Sequence, residues 1–408
     1  MKILVVSQYF WPESFVINDL VRALSRAGHQ VTVATGKPNY PTGSFAPGYT
    51  AKGVLHEQFG AGVDVIRVPI RPRGKGDALA LCLNYLSFAA SATFRLPRLL
   101  RGRDFDVILF FGVSPLTAAI PAVVVSWLKK AHLVLWIQDL WPESLSATGF
   151  VKNRLVLYAV GLMVRLIYRA ADTILLQSEA FFEPVSAYAD RRKLDYFPNL
   201  APDLTEEEIP PPPDVLVHLE NCFPIVFAGN LGRAQALPTV IEAARLLKDH
   251  PEIRIIVVGT GSEASTLSRG MAELELTNIK LTGLLDRAMM PAIFRRAAAL
   301  MVTLNDHSSL AAVIPSKVQA YMQAGRPIIG ALNGEGARII TSAGAGLVVP
   351  AEDGAGLAQS ILTLYSMPAS RREAIGTAGR RYFEAHFDPD HSAGRLMEII
   401  EARMGIRK

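Results

Sequence analysis

Short apolar runs alternate with segments of helical spacing along the whole of this chain. In the first half the runs include QVTVAT, VILFFG and TILLQS, and in the second half IRIIVVG, ALMVTL and RPIIGAL. Continuous apolar runs of this kind are typical of strands that are buried on both faces, and strands that alternate with helices build parallel sheets. The pattern therefore predicts an α/β protein with two doubly wound sheets, one in each half of the chain.

A proline-rich segment separates the two series. Residues 209–214 read IPPPPD, and four consecutive prolines continue neither a helix nor a central strand. The predicted organisation is an N-terminal domain, a linker, a C-terminal domain and a final helix, over residues 1–200, 201–223, 224–385 and 386–408. The final helix either completes the C-terminal domain or packs back on the N-terminal one.

Composition narrows the class of protein. Of the 408 residues, half are apolar, so the chain is globular, and its two cysteines, Cys82 and Cys222, suit a reducing cytosol. Residues 1–200 hold 22 Lys and Arg against 14 Asp and Glu, whereas residues 201–408 hold 20 against 23. Two basic clusters lie beside apolar segments: Arg67, Arg71, Arg73 and Lys75, and Arg95, Arg98, Arg101 and Arg103. We expect this half to contact an anionic membrane surface or a lipid phosphate, with solubilising surface charge as the alternative.

A glycine turn follows the first apolar run of the C-terminal half. The turn and the residues after it comprise Gly229, Asn230, Gly232, Arg233 and Gln235, and a helical segment follows. Such a turn lets backbone N–H groups approach a phosphate, and a helix N-terminus adds favourable dipole charge. Taken alone, the motif also fits an ordinary loop in which glycine relieves backbone strain.

A second corner places Ser316 and Lys317 at the start of a later helix. Ser316 is predicted to cap that helix, and Lys317 supplies a compact cation for a diphosphate. Two further glycines end strands. We expect Gly261 to let the chain turn close to the ligand, and the strand that ends at Gly283 to meet a nucleobase through backbone groups. Two such corners in one α/β domain indicate a sugar-nucleotide site.

Two carboxylates follow a strand of the first half. Asp139 and Glu143 lie in WIQDLWPESL, just past the strand end, where doubly wound sheets bind their ligands. A hydroxyl acceptor needs a nearby base or hydrogen-bond acceptor, so both are candidates for that role. The alternative is that Asp139 stabilises the turn and Glu143 is solvated. A similar Trp11-Pro12-Glu13 follows the first strand.

Other chemistries lack their sequence signatures. No His, Cys, Asp and Glu cluster has metal-binding spacing, no nucleophile elbow occurs, and neither Gly-Lys pair has P-loop spacing. We therefore expect no metal, no cofactor and no nucleic-acid partner.

These phrases together resemble the retaining glycosyltransferases of family 4, which have the two-domain GT-B fold, and within them the WbuB-like branch. The similar phrases are YFWPE near the start, DLWPES at 139–144, PNL at 198–200, GNLGRAQAL at 229–237 and PSKVQAYMQAGRPI at 315–328. The resemblance covers nearly the whole chain, and ordered phrases are more specific than one glycine pair. It implies two Rossmann-like domains facing a central cleft.

The sequence departs from the family at several positions, among them Ser14 and Phe15 in the first-strand loop, where relatives often have glycine. Gln235 stands where the family usually has a lysine, and Ala311 and Gln319 stand where it has two glutamates. The second glutamate normally holds the ribose, so Gln319 occupies that position here. We expect Lys317 to supply the cation lost at position 235, in the manner of the WbuB-like branch.

The resemblance implies transfer of a sugar with retention from a nucleotide donor to a polyprenyl-diphosphate-linked saccharide. The expected donor is a UDP-linked N-acetylated amino or deoxyamino sugar, a co-substrate used without metal. The products would serve O-antigen, capsule or exopolysaccharide assembly on the cytoplasmic face of the membrane. Lys317 and Arg233 would stabilise the diphosphate, and Asp139 would orient the acceptor. A sugar-nucleotide 2-epimerase of the same fold and a non-catalytic subunit that binds a sugar nucleotide or lipid are the alternatives.

Overall fold

The computed structural model describes residues 1–74, 78–143, 145, 153–201 and 208–406. Lys75 of the first basic cluster, Ser144 of the DLWPES phrase and residues 202–207 of the predicted linker lie outside these ranges. The chain forms two compact units, one made of Met1–Leu200 with Pro389–Lys408 and the other of Ala201–Asp388.

The first unit is built on one eight-stranded sheet. Its strands are β1 (Lys2–Val6), β2 (Gln30–Thr35), β3 (Leu55–Phe59), β4 (Val63–Arg67), β5 (Val107–Gly112), β6 (His132–Ile137), β7 (Thr173–Leu176) and β8 (Leu194–Tyr196). They lie in the order β3-β4-β2-β1-β5-β6-β7-β8, and only β3 runs antiparallel to its neighbour. The central strands are buried along almost their whole length, because their apolar runs face helices on both sides of the sheet.

The helices between these strands are α1 (Ile17–Arg26), α2 (Ala78–Leu99), α3 (Ile120–Lys129), α4 (Arg154–Ala170) and α5 (Phe182–Ser186). Local sequence sets their ends. The Asn153 side chain caps α4 by accepting a hydrogen bond from the Leu155 N–H. Pro121 lies in the first turn of α3, where its missing N–H costs nothing, and Lys130 in left-handed conformation ends that helix.

The second unit contains six parallel strands: β9 (Phe223–Ala228), β10 (Ile253–Val258), β11 (Ile279–Gly283), β12 (Ala299–Thr303), β13 (Ile328–Ala331) and β14 (Gly346–Val349). Their order is β11-β10-β9-β12-β13-β14. Its helices are α6 (Pro213–Leu216), α7 (Leu237–Leu246), α8 (Ala264–Glu273), α9 (Met290–Arg296), α10 (Ser308–Ala311), α11 (Ser316–Ala324), α12 (Glu335–Ser342), α13 (Gly354–Ser366) and α14 (Ala369–His386). The prediction of an α/β fold with two doubly wound sheets is confirmed.

The proline-rich segment differs in detail from a plain linker. Its last part forms α6, and Val215 of this helix and Leu219 in the turn after it are buried in the core of the second unit. The chain divides at Leu200, and the segment after the prolines contributes to the second core.

The last helix, α15 (Pro389–Met404), belongs to the first unit. It packs on α1, and its Leu396 and Ile400 lie in one core cluster with Leu20 and Leu24 of α1. The helices α2, α3 and α4 lie in crossover connections that run along the sheet in the opposite direction from the connection that contains α1. Because crossover connections of this kind are right-handed, these three helices lie on the opposite face of the sheet from α1. There α2 packs on α3 and α3 on α4.

One segment, Leu79–Leu99, is long and apolar enough to cross a membrane by length and composition alone. It is nearly the whole of α2, which joins β4 to β5. One side of it buries Phe88, Ala92 and Leu96 in the unit, so α2 is a crossover helix of the first sheet.

Candidate functional site

Lys317 is the central cation at the strand ends of the second unit. It lies in the first turn of α11, and its Nζ donates a hydrogen bond to Gln235 Oε1. The same Nζ lies 3.6 Å from the centroid of the Phe227 ring, within the range of a cation–π contact. Burial lowers the pKa of Lys317 from 10.5 to about 7. The lysine amine is therefore expected to take up a proton when an anion approaches.

Gly229 makes the space that Lys317 occupies. A Cβ at this position would lie 2.7 Å from Lys317 Cε, and the backbone φ of Gly229 is +137°, which side-chain-bearing residues rarely adopt. The predicted glycine turn therefore has a specific use here, because it lets the lysine from α11 lie against the end of β9.

The strand ends beside Gly229 are fixed backbone to backbone. Gly259 has φ +143°, and a Cβ there would lie 1.9 Å from the Gly229 carbonyl oxygen. A Cβ on Gly261 would lie 2.5 Å from the Leu231 carbonyl oxygen, and the Leu231 N–H donates to the Thr260 carbonyl at 2.9 Å. The absence of a side chain at Gly261 thus lets the loop after β10 approach the loop after β9.

Gly283 continues this series, because its carbonyl accepts a hydrogen bond from the Gly259 N–H at 2.8 Å. Its own φ is +78°. The ends of β9, β10 and β11 therefore form one glycine-rich edge, and its predicted contact with a nucleobase stays a prediction.

Gln235 is held by the neighbouring strand end. It closes a short 3₁₀ turn, and its carbonyl accepts a hydrogen bond from Thr303 Oγ1 at 2.5 Å. Asn305 ties the same turn through its N–H to the Ala234 carbonyl at 3.0 Å and through Nδ2 to the Arg233 carbonyl at 2.8 Å. Gln235 stands where the family has lysine, and here it positions the lysine of another helix.

The remaining predicted donor residues lie on the loop after β9 and on α11. The Arg233 side chain is 90% exposed, with Nε 3.8 Å from Glu263 Oε1. A Cβ on Gly232 would lie 2.8 Å from the Asn230 side-chain amide, so that amide covers the glycine. Gln319 is 2% exposed and lies on the buried side of α11.

The prediction that Ser316 caps α11 is wrong. Pro315 takes the cap position with φ −63° and ψ 132°, no side chain caps the helix, and Ser316 is its exposed first residue. A proline fixes this extended entry by its own ring, so the helix starts one residue earlier than a serine cap would allow. The exposed Ser316 hydroxyl stays at the same corner as Lys317.

In the first unit, Asp139 joins two strand-end loops. Its Oδ2 accepts a hydrogen bond from the Ser114 N–H at 3.0 Å, and Trp141 Nε1 donates to Ser114 Oγ at 3.0 Å. The loop after β6 is thereby tied to the loop after β5. Asp139 is half-buried, whereas Glu143 is exposed. Tyr168 and Tyr188 have pKa values raised by burial, with the charge of Glu143 as the next cause.

Glu13, noted in the sequence only as part of a repeated phrase, is buried and structural. Its Oε1 accepts hydrogen bonds from the Asn39 and Tyr40 N–H groups, both at 2.8 Å, and its Oε2 accepts from the Phe10 N–H at 3.3 Å. Burial raises the pKa of its carboxyl, and these hydrogen bonds oppose that rise. Glu13 joins the loop after β1 to the loop after β2.

Two polar groups at this edge have no motif in the sequence. Gln177 Nε2 donates to the Gln138 carbonyl at 2.5 Å and its Oε1 accepts from Asn199 Nδ2 at 2.7 Å, which links the ends of β6, β7 and β8. Arg73 Nη1 donates to Tyr9 Oη at 2.6 Å, and its guanidinium also faces the ring of Tyr40 at 5.2 Å. Only the position of Arg73 in a basic cluster signalled it.

A metal site does not emerge from the described parts of the chain: no group of three or more His, Cys, Asp or Glu residues there is arranged to hold an ion.

Comparisons with known proteins identify the class. The sequence model described as "Glycosyl transferase 4-like domain" matches residues 14–199, and that described as "Glycosyl transferases group 1" matches residues 223–367. With the two doubly wound sheets, these matches define a glycosyltransferase of the GT-B fold. The chain belongs to family 4 of these enzymes. The prediction of a transferase is confirmed, which favours it over the epimerase and the binding subunit.

Two curated relatives are similar over much of their length. WcaI of Escherichia coli strain K12, a candidate colanic acid biosynthesis glycosyl transferase, is 26% identical over 80% of this chain and 82% of its own. WbjE of Pseudomonas aeruginosa, a candidate glycosyltransferase, is 26% identical over 64% of this chain and 66% of its own. Both names are those of transferases, as the family requires.

Two solved structures share the fold. Sucrose-phosphate synthase from Thermosynechococcus elongatus has a TM-score of 0.71 at 16% identity and covers 100% of both chains. HepE of Anabaena in complex with UDP has a TM-score of 0.67 at 14% identity, over 98% of this chain and 100% of its own. Likeness at this identity shows the GT-B fold.

Proposed function

We propose that this glycosyltransferase moves a sugar with retention from a UDP-linked donor to a polyprenyl-diphosphate-linked saccharide in surface polysaccharide assembly. The observation that carries the donor half is the Lys317 corner: a partly buried cation with a lowered pKa at a glycine-rich strand-end edge. HepE, whose structure was solved with UDP, supports the nucleotide. WcaI, named for colanic acid biosynthesis, supports the polysaccharide.

Lys317 stabilises the leaving group in this proposal. A diphosphate at the Gly229 turn favours the protonated form of the lysine, and the charge that develops as the sugar departs meets a preorganised cation. Arg233, exposed on the same turn, adds a second cation. Lys317 therefore contributes more to the departing diphosphate than to the intact donor.

The acceptor half rests on Asp139. We assign it the orientation of the acceptor hydroxyl, with its geometry fixed by the bond from the Ser114 N–H. Retention then follows if the acceptor attacks on the face that the nucleotide leaves, with its proton passing to the departing phosphate. In this scheme the carboxylate forms no covalent bond to the sugar, and the protein works peripherally at the inner face of the cytoplasmic membrane.

The test is release of nucleoside diphosphate from a panel of UDP- and GDP-sugars, with and without polyprenyl-diphosphate-linked N-acetylglucosamine in detergent. Release that needs both a UDP-sugar and the lipid supports the proposal and names the sugar. Release from GDP-sugars alone overturns the choice of nucleotide, and lipid-independent release overturns the acceptor. Lys317→Ala, run beside the wild type, should lose most of the release if the leaving group depends on that cation.

A further inference from the structure

The outward sides of α2, α3 and α4 expose an unusual number of large apolar side chains. On α2 these include Leu86 and Phe94, and Phe94 is 72% exposed. Trp127 at the end of α3 is 67% exposed, and Leu162 and Leu166 are exposed on α4. We call this surface the α2–α4 face. The three helices pack side by side on one side of the sheet, so these side chains share one surface of the first unit.

The exposed positions follow the helical repeat. On α2, exposed residues recur at 79, 82, 86, 90 and 94, and on α4 at 155, 159, 162 and 166. Spacings of three and four residues keep them on one stripe of each helix. The opposite stripe of α2 buries Phe88 and Leu96 in the unit. Each helix is thus apolar on the side that packs and apolar again on the side that faces solvent.

The charge on this face has one sign. Over their described lengths the three helices carry six basic and no acidic side chains: Arg95, Arg98, Lys129, Arg154, Arg165 and Arg169. No salt bridge between described residues includes any of the six. Three of them, Arg98, Lys129 and Arg169, lie in the last turns of their helices, where the helix dipole favours cations, but the dipole does not account for the exposed Phe94, Trp127 and Leu166 beside them.

We propose that the α2–α4 face docks on an anionic bilayer surface, with its apolar side chains inserted among the headgroups and its basic side chains on lipid phosphates. Apolar stripes with aromatic residues and flanking Lys and Arg are the pattern of segments that lie in a membrane interface. A second copy of the chain fits less well, because a two-fold contact sets each patch against itself and brings unneutralised cations together. This inference rests on the proposed function, because an enzyme that acts on a lipid-linked acceptor must reach the membrane that holds the acceptor.

The test is co-sedimentation of the full-length protein with vesicles, which needs no donor or acceptor. The vesicles contain equal parts of phosphatidylcholine and phosphatidylglycerol, or phosphatidylcholine alone. We expect binding to the anionic vesicles that weakens with added salt, because salt screens the phosphate contacts.

Two variants separate the apolar and basic contributions. The variant Phe94→Gln/Trp127→Gln/Leu166→Gln should bind anionic vesicles about tenfold more weakly or worse, since three apolar groups no longer leave water. The variant Arg95→Gln/Arg98→Gln/Arg169→Gln should lose about a hundredfold at low salt. The matched control is Leu284→Gln, in the second unit, where the leucine is 78% exposed, and it should bind like the wild type.

The outcomes keep this inference apart from the proposed transfer. The docking face is overturned if the wild-type protein does not bind anionic vesicles, or if both variants bind them as the wild type does. Either result counts even when transfer in detergent is intact. A wild-type dimer in solution that either variant converts to monomer also overturns it, in favour of a second copy. Lost vesicle binding with unchanged transfer in detergent supports the face, whatever the donor proves to be.

Discussion

Lys317 and its partners set the behaviour of the donor site at the scale of single residues. Its Nζ contacts Gln235 and the Phe227 ring, and burial at this position disfavours the charged form of the lysine. The lysine also makes the free protein sensitive to pH. Since its folded pKa is lowered, the unfolded chain binds more protons between about pH 7 and about pH 10, and the contribution of this group to stability rises with pH there.

UDP binding should show the opposite pH dependence. Bound diphosphate restores the ordinary pKa, so binding takes up a proton above about pH 7, and affinity should fall by up to about tenfold per pH unit towards pH 9. Calorimetric titration with UDP, in buffers of different ionisation enthalpy and at several pH values, measures both the pH dependence of the affinity and the number of protons taken up on binding. Lys317→Met, similar in length and uncharged, should bind weakly with no such slope. The same slope in that variant would assign the proton to another group.

Gln235 should act through Lys317. Gln235→Ala removes the acceptor that holds Nζ, and we expect UDP affinity to fall by about 1 kcal/mol, less than in Lys317→Met. In the double variant the loss should equal that of Lys317→Met alone, because the glutamine has no cation left to position. Titration of all three variants measures this coupling, and additive losses would mean that Gln235 meets the nucleotide by itself.

Asp139 has an observed structural hydrogen bond and a proposed role toward the acceptor, and one substitution separates the two. Asp139→Asn keeps an oxygen to accept the Ser114 N–H but removes the charge. If the carboxylate orients or assists the acceptor, transfer should fall by about a hundredfold while UDP affinity and thermal midpoint stay near wild type. If this variant transfers sugar at the wild-type rate, the role of Asp139 is structural only. The rate of transfer in Glu143→Gln, the same change at the other carboxylate of this loop, is compared with it.

The sequence predicted individual residues of the candidate site where the signal is local. Gly229 and Lys317 were singled out because a glycine turn and a helix start are visible in consecutive letters. The contact between Lys317 and Gln235 spans 82 residues and follows from the sheet order β9–β12–β13, which the letters do not state. The Gln177–Asn199 bond escaped notice for a similar reason, since buried amides carry no periodic signal.

At the scale of elements, the glycine-rich edge depends on two loops that touch through their backbones. Gly259→Ala would place a Cβ 1.9 Å from the Gly229 carbonyl oxygen. Either the β10 loop or the β9 loop must move, so we expect a loss of more than about 2 kcal/mol in stability and weak UDP binding. Chemical denaturation and UDP titration measure the two effects.

Gly344→Ala is the matched control for that change. It too lies in the second unit with positive φ, +61°, but no atom lies within 4 Å of the added Cβ. Its cost should be the conformational term alone, about 1 kcal/mol, with UDP affinity unchanged. Equal effects of the two substitutions would show that φ, and not the contact between loops, governs Gly259.

Helix starts show a limit of prediction from the sequence pattern, because the pattern locates the helix but does not identify its cap residue. The helix that carries Lys317 was predicted at its observed place, but its cap was assigned to Ser316. The ring of Pro315 fixes an extended entry and leaves the serine inside the first turn. Both residues favour helix starts, and only the backbone conformation decides between them.

At the scale of the whole molecule, α15 makes the first unit discontinuous in sequence. Leu396 and Ile400 are each about 1% exposed in the core shared with α1 and β1. Leu396→Ala should lower the stability of this unit by about 2–5 kcal/mol, as large-to-small changes in cores do. Hydrogen exchange should show lost protection in α1 and β1, with amides of β9 and β10 as before.

UDP affinity is the control in that experiment, because the residues of the proposed donor site all lie in Ala201–Asp388. It should stay at its wild-type value in Leu396→Ala. Uniform loss of protection across both units would instead mean that they unfold as one cooperative body.

Because α15 follows the second unit in sequence but packs in the first, it also affects the order in which the two units fold during synthesis. The ribosome makes residues 1–200 first, yet the core beneath α1 lacks Leu396, Met397 and Ile400 until the whole of the second unit, Ala201–Asp388, has been translated. Domains generally acquire structure in the order of their synthesis, and here the earlier one must wait for the later. We therefore expect the nascent first unit to expose, throughout translation of the second, the apolar surface that α15 covers in the folded chain, and a chaperone that binds apolar segments would bind there.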